Sequence, residues 1–163
     1  MTRVVLTGAS GFIGRHLVRF LAQDPAIELI LVLRRAPNWP LPEHIHVHLI
    51  ADFREEEAWL KVLQEHDLVI HLAGLAHRDL PVDTQVEGFF EANVATTRAI
   101  AHAGVKCNID HVIFISSIGV YGSSRVDVVQ PNSTLHPDQP YAESKLAAEL
   151  ALLSVPARRF VCT

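Results

Sequence analysis

The 163-residue sequence predicts an α/β protein: a doubly wound parallel sheet in strand order 3-2-1-4-5, with helices on both faces. Three observations lead there. Short aliphatic runs alternate with helix-period segments along most of the chain, as in parallel strands joined by right-handed crossovers. The run Leu29 to Leu33 is unbroken, as in a strand covered on both faces. The first run, Arg3-Val4-Val5-Leu6-Thr7, stops at a glycine and restarts as a helix.

Taken in order, that first run reads as a buried strand. Phe12, Ile13, Leu17, Phe20 and Leu21 then recur at helical spacing, and Pro25 marks the end of the helix. Leu29 to Leu33 is the second strand, and Pro37, Pro40 and Pro42 make a loop after it. Ile45 to Ile50 reads as the third strand, alternating His44, His46 and His48 with Ile45, Val47 and Leu49. A helix follows over about Glu55 to Glu65. Leu68 to Leu72 is the fourth strand, closed by Ala73-Gly74. Residues 75 to 87, with Pro81, read as irregular. A long helix runs from about Phe89 to Ala103 and ends near Gly104. Val112 to Ile115 is the fifth strand, leading into Ser116-Ser117. The last helix, about Tyr141 to Leu153, has Leu146, Ala147, Leu150 and Leu153 on its apolar side.

Composition narrows the class. Apolar residues make up 49% and charged residues 20%, a globular balance. A net charge of −4 without a basic run directs attention away from nucleic acid and membrane surfaces. Cys107 and Cys162 stand apart, outside metal-ligand spacing, and read as reduced thiols. His44, His46 and His48 read as a solvated strand face, so no metal is expected. Gly8, Gly11 and Gly14 interrupt the place where an apolar signal segment would lie, and a cytoplasmic location is the expectation.

The chemistry-bearing residues cluster at the carboxyl ends of the strands, where ligands bind in such folds. The turn Thr7-Gly8-Ala9-Ser10-Gly11-Phe12-Ile13-Gly14 leaves backbone N–H groups at a helix start, which together with the helix dipole favour a pyrophosphate. Gly8 permits the tight turn, Gly11 removes a side chain where phosphate approaches, and Gly14 lets the helix lie close to the first strand. Tyr141 and Lys145, four apart, share one helix face. A cation near a phenol favours the phenolate and suits the tyrosine to proton exchange.

These motifs resemble the short-chain dehydrogenase/reductase family in its extended, nucleotide-sugar epimerase and dehydratase branch, whose nucleotide-binding part is a Rossmann fold. The matching residues are Thr7-Gly8-x-x-Gly11-Phe12-Ile13-Gly14, Asp52, His71-Leu72-Ala73-Gly74, Asn93-Val94, Ser116 to Gly122, and Tyr141-x-x-x-Lys145. The resemblance implies Tyr141 as general acid/base. It implies Lys145 as the group that tunes the phenol and holds the nicotinamide ribose, Ser117 as the group that polarises the substrate oxygen, and Asn93 as an organiser of the site. With Arg34, read from the end of the second strand, the expected cofactor site is Gly8, Ser10, Gly11, Phe12, Ile13, Gly14, Arg34, Asp52, Phe53, Leu72, Ala73, Gly74, Tyr141 and Lys145, the resemblance placing Asp52 on the adenine amine.

The cofactor is read as NAD(P). The second strand ends in Arg34-Arg35 rather than an acid, and a guanidinium there suits a 2′-phosphate, so NADP is favoured; Arg15 could assist. The resemblance covers residues 3 to 153 and implies a small-molecule substrate, a nucleotide-sugar, and a homodimer through helices 89–103 and 141–153. Residues 1–154 read as the nucleotide-binding domain and 155–163 as a tail, with the family's carboxyl-terminal substrate domain absent. The resemblance implies an NAD(P)-dependent nucleotide-sugar epimerase/dehydratase-like oxidoreductase, with hydride transfer at a sugar carbon and Tyr141 as general acid/base, in a truncated form expected to bind cofactor. An NADPH-dependent 4-keto-sugar reductase and a non-catalytic dinucleotide-binding module remain alternatives.

Overall fold

The computed structural model describes residues 1–76, 82–123, 128–156 and 160–163. Its centre is one parallel sheet of six strands: β1 (Thr2–Thr7), β2 (Ile27–Leu33), β3 (His46–Leu49), β4 (Leu68–His71), β5 (His111–Phe114) and β6 (Phe160–Cys162). Their order is β3-β2-β1-β4-β5-β6, which contains the expected 3-2-1-4-5 and extends it. The strands alternate their side chains between two cores. Val5, Ile30 and Val32 face one core, while Val4, Leu6, Leu29 and Leu31 face the other. Helix α1 (Phe12–Leu21) covers the second core through Val18, and α2 (Glu56–Leu60), α4 (Thr96–Lys106) and α5 (Pro140–Leu153) cover the first.

The register sets the level of the site. Val32 pairs with Thr7, Thr7 with His71 and His71 with Phe114, so these residues form one row across the sheet. Gly8, Arg34, Leu72 and Ser116 all follow just beyond that row. The sheet edge they share is the crevice expected of a doubly wound fold.

Several elements differ from the sequence reading. The reading of 75–87 as irregular misses a helix: α3 (Val82–Phe89) continues through a π-helical segment, Phe90–Ala95, into α4. Val82-Asp83-Thr84-Gln85 carries no apolar period that would reveal it. Pro81 lies outside the described residues. α4 runs past Gly104, which is buried within it, to Lys106. α2 is shorter than read because backbone turns replace it after Leu60, although Val62 and Leu63 stay buried. It is anchored by Trp59, fully buried, whose indole N–H donates to Phe53 O at 2.8 Å.

The edge strand β3 buries neither of its alternate faces, and Leu49 is 58% exposed. Its anchors are the flanking Ile45 and Ile50, both buried. His44 precedes the strand and its ring Nε2 lies 3.2 Å from Ala22 O.

On α1 the buried residues are Gly14 and Val18, with Leu17 and Leu21 packed at the margin, whereas Phe12, Ile13 and Phe20 are exposed. On α5 the expected apolar side is also wrong. Ala142, Ser144, Lys145, Ala148 and Leu152 are buried, and Leu150 and Leu153 face outward. Apolar spacing misleads here because the helix turns two polar residues, Ser144 and Lys145, toward the protein.

The segment read as a tail forms β6, parallel to β5, with Ile113 opposite Val161. α5 is the crossover helix that joins β5 to this strand. Ala157, Arg158 and Arg159 lie outside the described residues, as does the side chain of Cys162. Cys107 is a half-buried free thiol, pushed up from its ordinary pKa by burial and then by the charge of Asp67.

Candidate functional site

The glycine turn is built from tight contacts. Gly8 adopts φ +72°, and a Cβ there would stand 2.7 Å from the Ala73 nitrogen. A Cβ on Gly14 would stand 2.1 Å from Gly8 O, so the helix rests directly on the turn. Gly11 differs. Its added Cβ would meet only Gly8 O, at 3.3 Å, and open space otherwise. As N-cap of α1, Gly11 supplies no side chain to the first turn, and no acidic residue stands there. Exposed N–H donors at a positive helix end are suited to an anion. Ser10, Phe12 and Ile13 are exposed around this turn. Arg15 donates from Nε to Ser10 O at 3.0 Å and lies over the Trp39 ring at 5.2 Å.

Beside the turn lies a cleft of about 420 Å³. It brings together Arg34, Asp52, Phe53, Ala73 and Gly74 from the expected cofactor set. Phe53 is largely buried, edge-on to Trp59 at 5.2 Å. The cleft also contains two residues that sequence reasoning missed, Arg54 and Glu91. Arg54 holds the Asp52 carboxylate through Nε (2.9 and 3.0 Å), Nη2 (2.7 Å) and its own backbone N–H (2.9 Å). Its Nη1 reaches Glu91 Oε1 at 3.0 Å. These hydrogen bonds hold the Asp52 carboxyl below its ordinary pKa and raise that of Arg54. Asp52 therefore faces the cleft as half of an ion pair. The available signal was Asp52 and Arg54 two apart at a strand end.

The residues expected to be catalytic lie on the other side of the β4 end. Tyr141 begins α5, half-buried, its ring edge-on to Phe89 at 5.8 Å. Lys145, one turn on, is only 6% exposed, and its Nζ stands 4.0 Å above the Phe114 ring. A buried ammonium in contact with an aromatic face is stabilised by the ring quadrupole. Ser117 caps a short 3₁₀ turn, Ile118–Tyr121, its Oγ accepting from Gly119 N–H at 3.2 Å. The neighbouring Ser116 hydroxyl donates to Glu149.

Asn93 sits in the π-helical segment, 1% exposed. Its Oδ1 accepts from Leu75 N–H at 2.8 Å. Its Nδ2 donates to Leu75 O at 3.1 Å and to Ser144 Oγ at 2.8 Å. Gly74 leaves room for this approach, since a Cβ there would stand 2.7 Å from Asn93 Oδ1. Ser144 in turn donates to Tyr141 O at 2.7 Å. π-Helical turns of this kind occur often at functional sites, because the extra residue redirects a side chain.

The sequence profile of the NAD dependent epimerase/dehydratase family matches residues 4–160. The chain belongs to that family. Among curated relatives, it is 29% identical over 157 residues to the dTDP-D-glucose 4,6-dehydratase of Mus musculus, covering 90% of this chain and 44% of that protein. It is 33% identical over 152 residues to the N-acetyl-alpha-D-glucosaminyl-diphospho-ditrans,octacis-undecaprenol 4-epimerase of Escherichia coli O157:H7, covering 91% and 42%. Its structure is similar to that of MoeE5 in complex with UDP-glucose and NAD, with a TM-score of 0.81 and 30% identity over 98% of this chain and 52% of that one. The chain thus spans about half the length of the relatives it matches. No described helix is long and apolar enough to cross a membrane. Among the described residues, no group of three or more His, Cys, Asp or Glu side chains could hold a metal ion.

Proposed function

We propose that this chain supplies the nucleotide-binding and proton-transferring part of an NAD(P)-dependent epimerase or dehydratase acting on a nucleotide-sugar. The observation that carries the reading is the buried Lys145 ammonium one helical turn from Tyr141, at the sheet edge that also bears the glycine turn. Buried charged groups of this kind concentrate at functional sites.

The residues fit a dinucleotide. Gly11 leaves open the space that a phosphate would occupy, and the adjacent cleft suits an adenosine. When bound, the nicotinamide accepts or returns hydride at a sugar carbon. Tyr141 takes or gives the proton of the sugar hydroxyl. Lys145 keeps positive charge beside that phenol and holds the ribose. Ser117 hydrogen-bonds the same sugar oxygen, and Asn93 fixes the loop and helix on either side. The remaining cofactor positions, Ser10, Phe12, Ile13, Leu72, Ala73 and Gly74, line the path by backbone.

Arg34, exposed at the mouth of the cleft, favours NADP over NAD. Outward-facing Leu150 and Leu153 support a homodimer through α5. The half-buried free thiol Cys107 suits a reducing, cytoplasmic setting.

Isothermal calorimetry of the chain with NAD⁺ and NADP⁺ tests the binding. We expect micromolar to sub-millimolar affinity, tighter for NADP⁺. In the full-length protein, Tyr141→Phe should leave nucleotide affinity within about twofold and lower kcat by about 10²–10⁴-fold. Unchanged turnover would remove Tyr141 from its role. Binding that survives with no turnover in the unsubstituted full-length protein would favour a non-catalytic module.

A further inference from the structure

His71 is fully buried at the end of β4, and the mechanism above assigns it no task. Its Nδ1 lies 2.8 Å from Thr7 Oγ1 and its Nε2 lies 3.2 Å from Thr97 Oγ1. The proton positions follow from the other partners. Thr97 has one hydroxyl proton, and it is donated to Asn93 O at 2.6 Å. Thr97 Oγ1 must then accept from His71, so Nε2 carries the ring proton. Nδ1 of a neutral ring accepts, so Thr7 donates to it, and Thr7 Oγ1 in turn accepts from Ala73 N–H at 3.0 Å. All donors point one way, from Ala73 through Thr7, His71 and Thr97 to the carbonyl of Asn93.

A protonated ring breaks this order. Nδ1–H would have to donate to Thr7 Oγ1, which already accepts from Ala73, and the Thr7 hydroxyl proton would lose its acceptor. Burial and the nearby Lys145 charge act in the same direction, holding the ring's pKa down at about 3.

At Asn93 this chain meets a second one. The side chain of Asn93 clasps Leu75 and, through Ser144, the carbonyl of Tyr141. We propose that His71, as a neutral Nε2–H imidazole, is a positioning residue that couples the loop Leu72 to Leu75, facing the nucleotide, to the first turn of the Tyr141 helix through Thr7, Thr97, Asn93 and Ser144. The inference rests on the functional reading above for what the coupling serves. The coupling itself stands on the hydrogen-bond geometry alone.

Nitrogen-15 NMR of the histidine-labelled chain reads the ring directly. We expect the Nε2–H tautomer, unchanged between pH 5 and 8; an Nδ1–H tautomer, or titration in that range, overturns the proposal. Thr97→Val, nearly isosteric, removes the middle link. Amide exchange at Leu75 should then accelerate about tenfold or more, and NAD⁺ affinity should fall about tenfold with the fold intact. Leu75 protection unchanged in Thr97→Val, or NAD⁺ affinity unchanged within twofold, overturns the coupling. Thr7→Val interrupts the other end and should have the same two effects. If the unsubstituted chain binds neither NAD⁺ nor NADP⁺, the functional reading fails, while the tautomer and Leu75 exchange still decide the coupling.

Discussion

The glycine turn and the Asn93 junction flank the same sheet edge and are built on opposite principles. Ser10 to Ile13 of the turn are exposed, and the close contacts of its glycines are local except for the approach of Gly8 to Leu72 and Ala73. The junction is buried and polar, and its partners are 18, 26, 51 and 64 residues apart in sequence. A surface that must admit a ligand stays open and needs little but the right backbone. A surface that must hold two loops in register has to be dry, where each hydrogen bond is stronger and each missing one is costly.

The largest test of that contrast breaks the turn. Gly14→Val would drive a Cβ to 2.1 Å from Gly8 O, against backbone that cannot yield. We expect a loss of more than about 4 kcal/mol, or failure to fold, in urea unfolding followed by circular dichroism. A melt like that of the unsubstituted chain would mean that α1 does not rest on the turn.

The next test probes the junction through pH. His71 has its folded pKa lowered from 6.5 to about 3. The unfolded chain therefore binds the proton first as pH falls. Stability is complete above about pH 6.5 and is lost as pH drops, by up to about 1.4 kcal/mol per pH unit for this ring. His71→Gln removes the titration, so the difference in stability between the two proteins should shrink from pH 7 to pH 5. That window lies above the Asp52 and Glu56 carboxyls, whose pKa values are lowered by Arg54 and Lys106 respectively. The raised pKa of His66, hydrogen-bonded to Asp110, acts alike in both proteins and cancels. A constant difference would place a charged or solvated ring at this position.

The smallest effect on stability sharpens the comparison from the ligand side. Gly11→Ala brings a methyl no closer than 3.3 Å to Gly8 O, so stability should change by less than about 1 kcal/mol. The same methyl enters the space assigned to phosphate, and calorimetry should show nucleotide affinity falling at least about tenfold. Gly14→Val and Gly11→Ala would thus separate the glycine that holds the turn from the one that faces the ligand. Unchanged affinity in Gly11→Ala would move the phosphate elsewhere.

The legible parts share a physical character. Val4 to Thr7, Leu29 to Leu33 and the glycines are written in local composition, because a doubly covered strand must be aliphatic and a tight turn must lack side chains. That the first five strands run parallel follows from their alternation with helices. The one-turn spacing of Tyr141 and Lys145 is legible too, since a single helix sets it without help from the rest of the chain. What only the tertiary structure decided is which way faces point and which distant polar atoms meet. Leu150 and Leu153 turn outward because α5 presents Ser144 and Lys145 to the sheet edge. Phe160–Cys162 becomes a strand only because β5 offers a free edge to so short a run. Arg54 reaches Glu91, and His71 reaches Thr7 and Thr97, through folding that brings separate elements within hydrogen-bond distance. Periodicity records where a residue sits along its own element, whereas hydrogen bonds across elements depend on the packing of the whole.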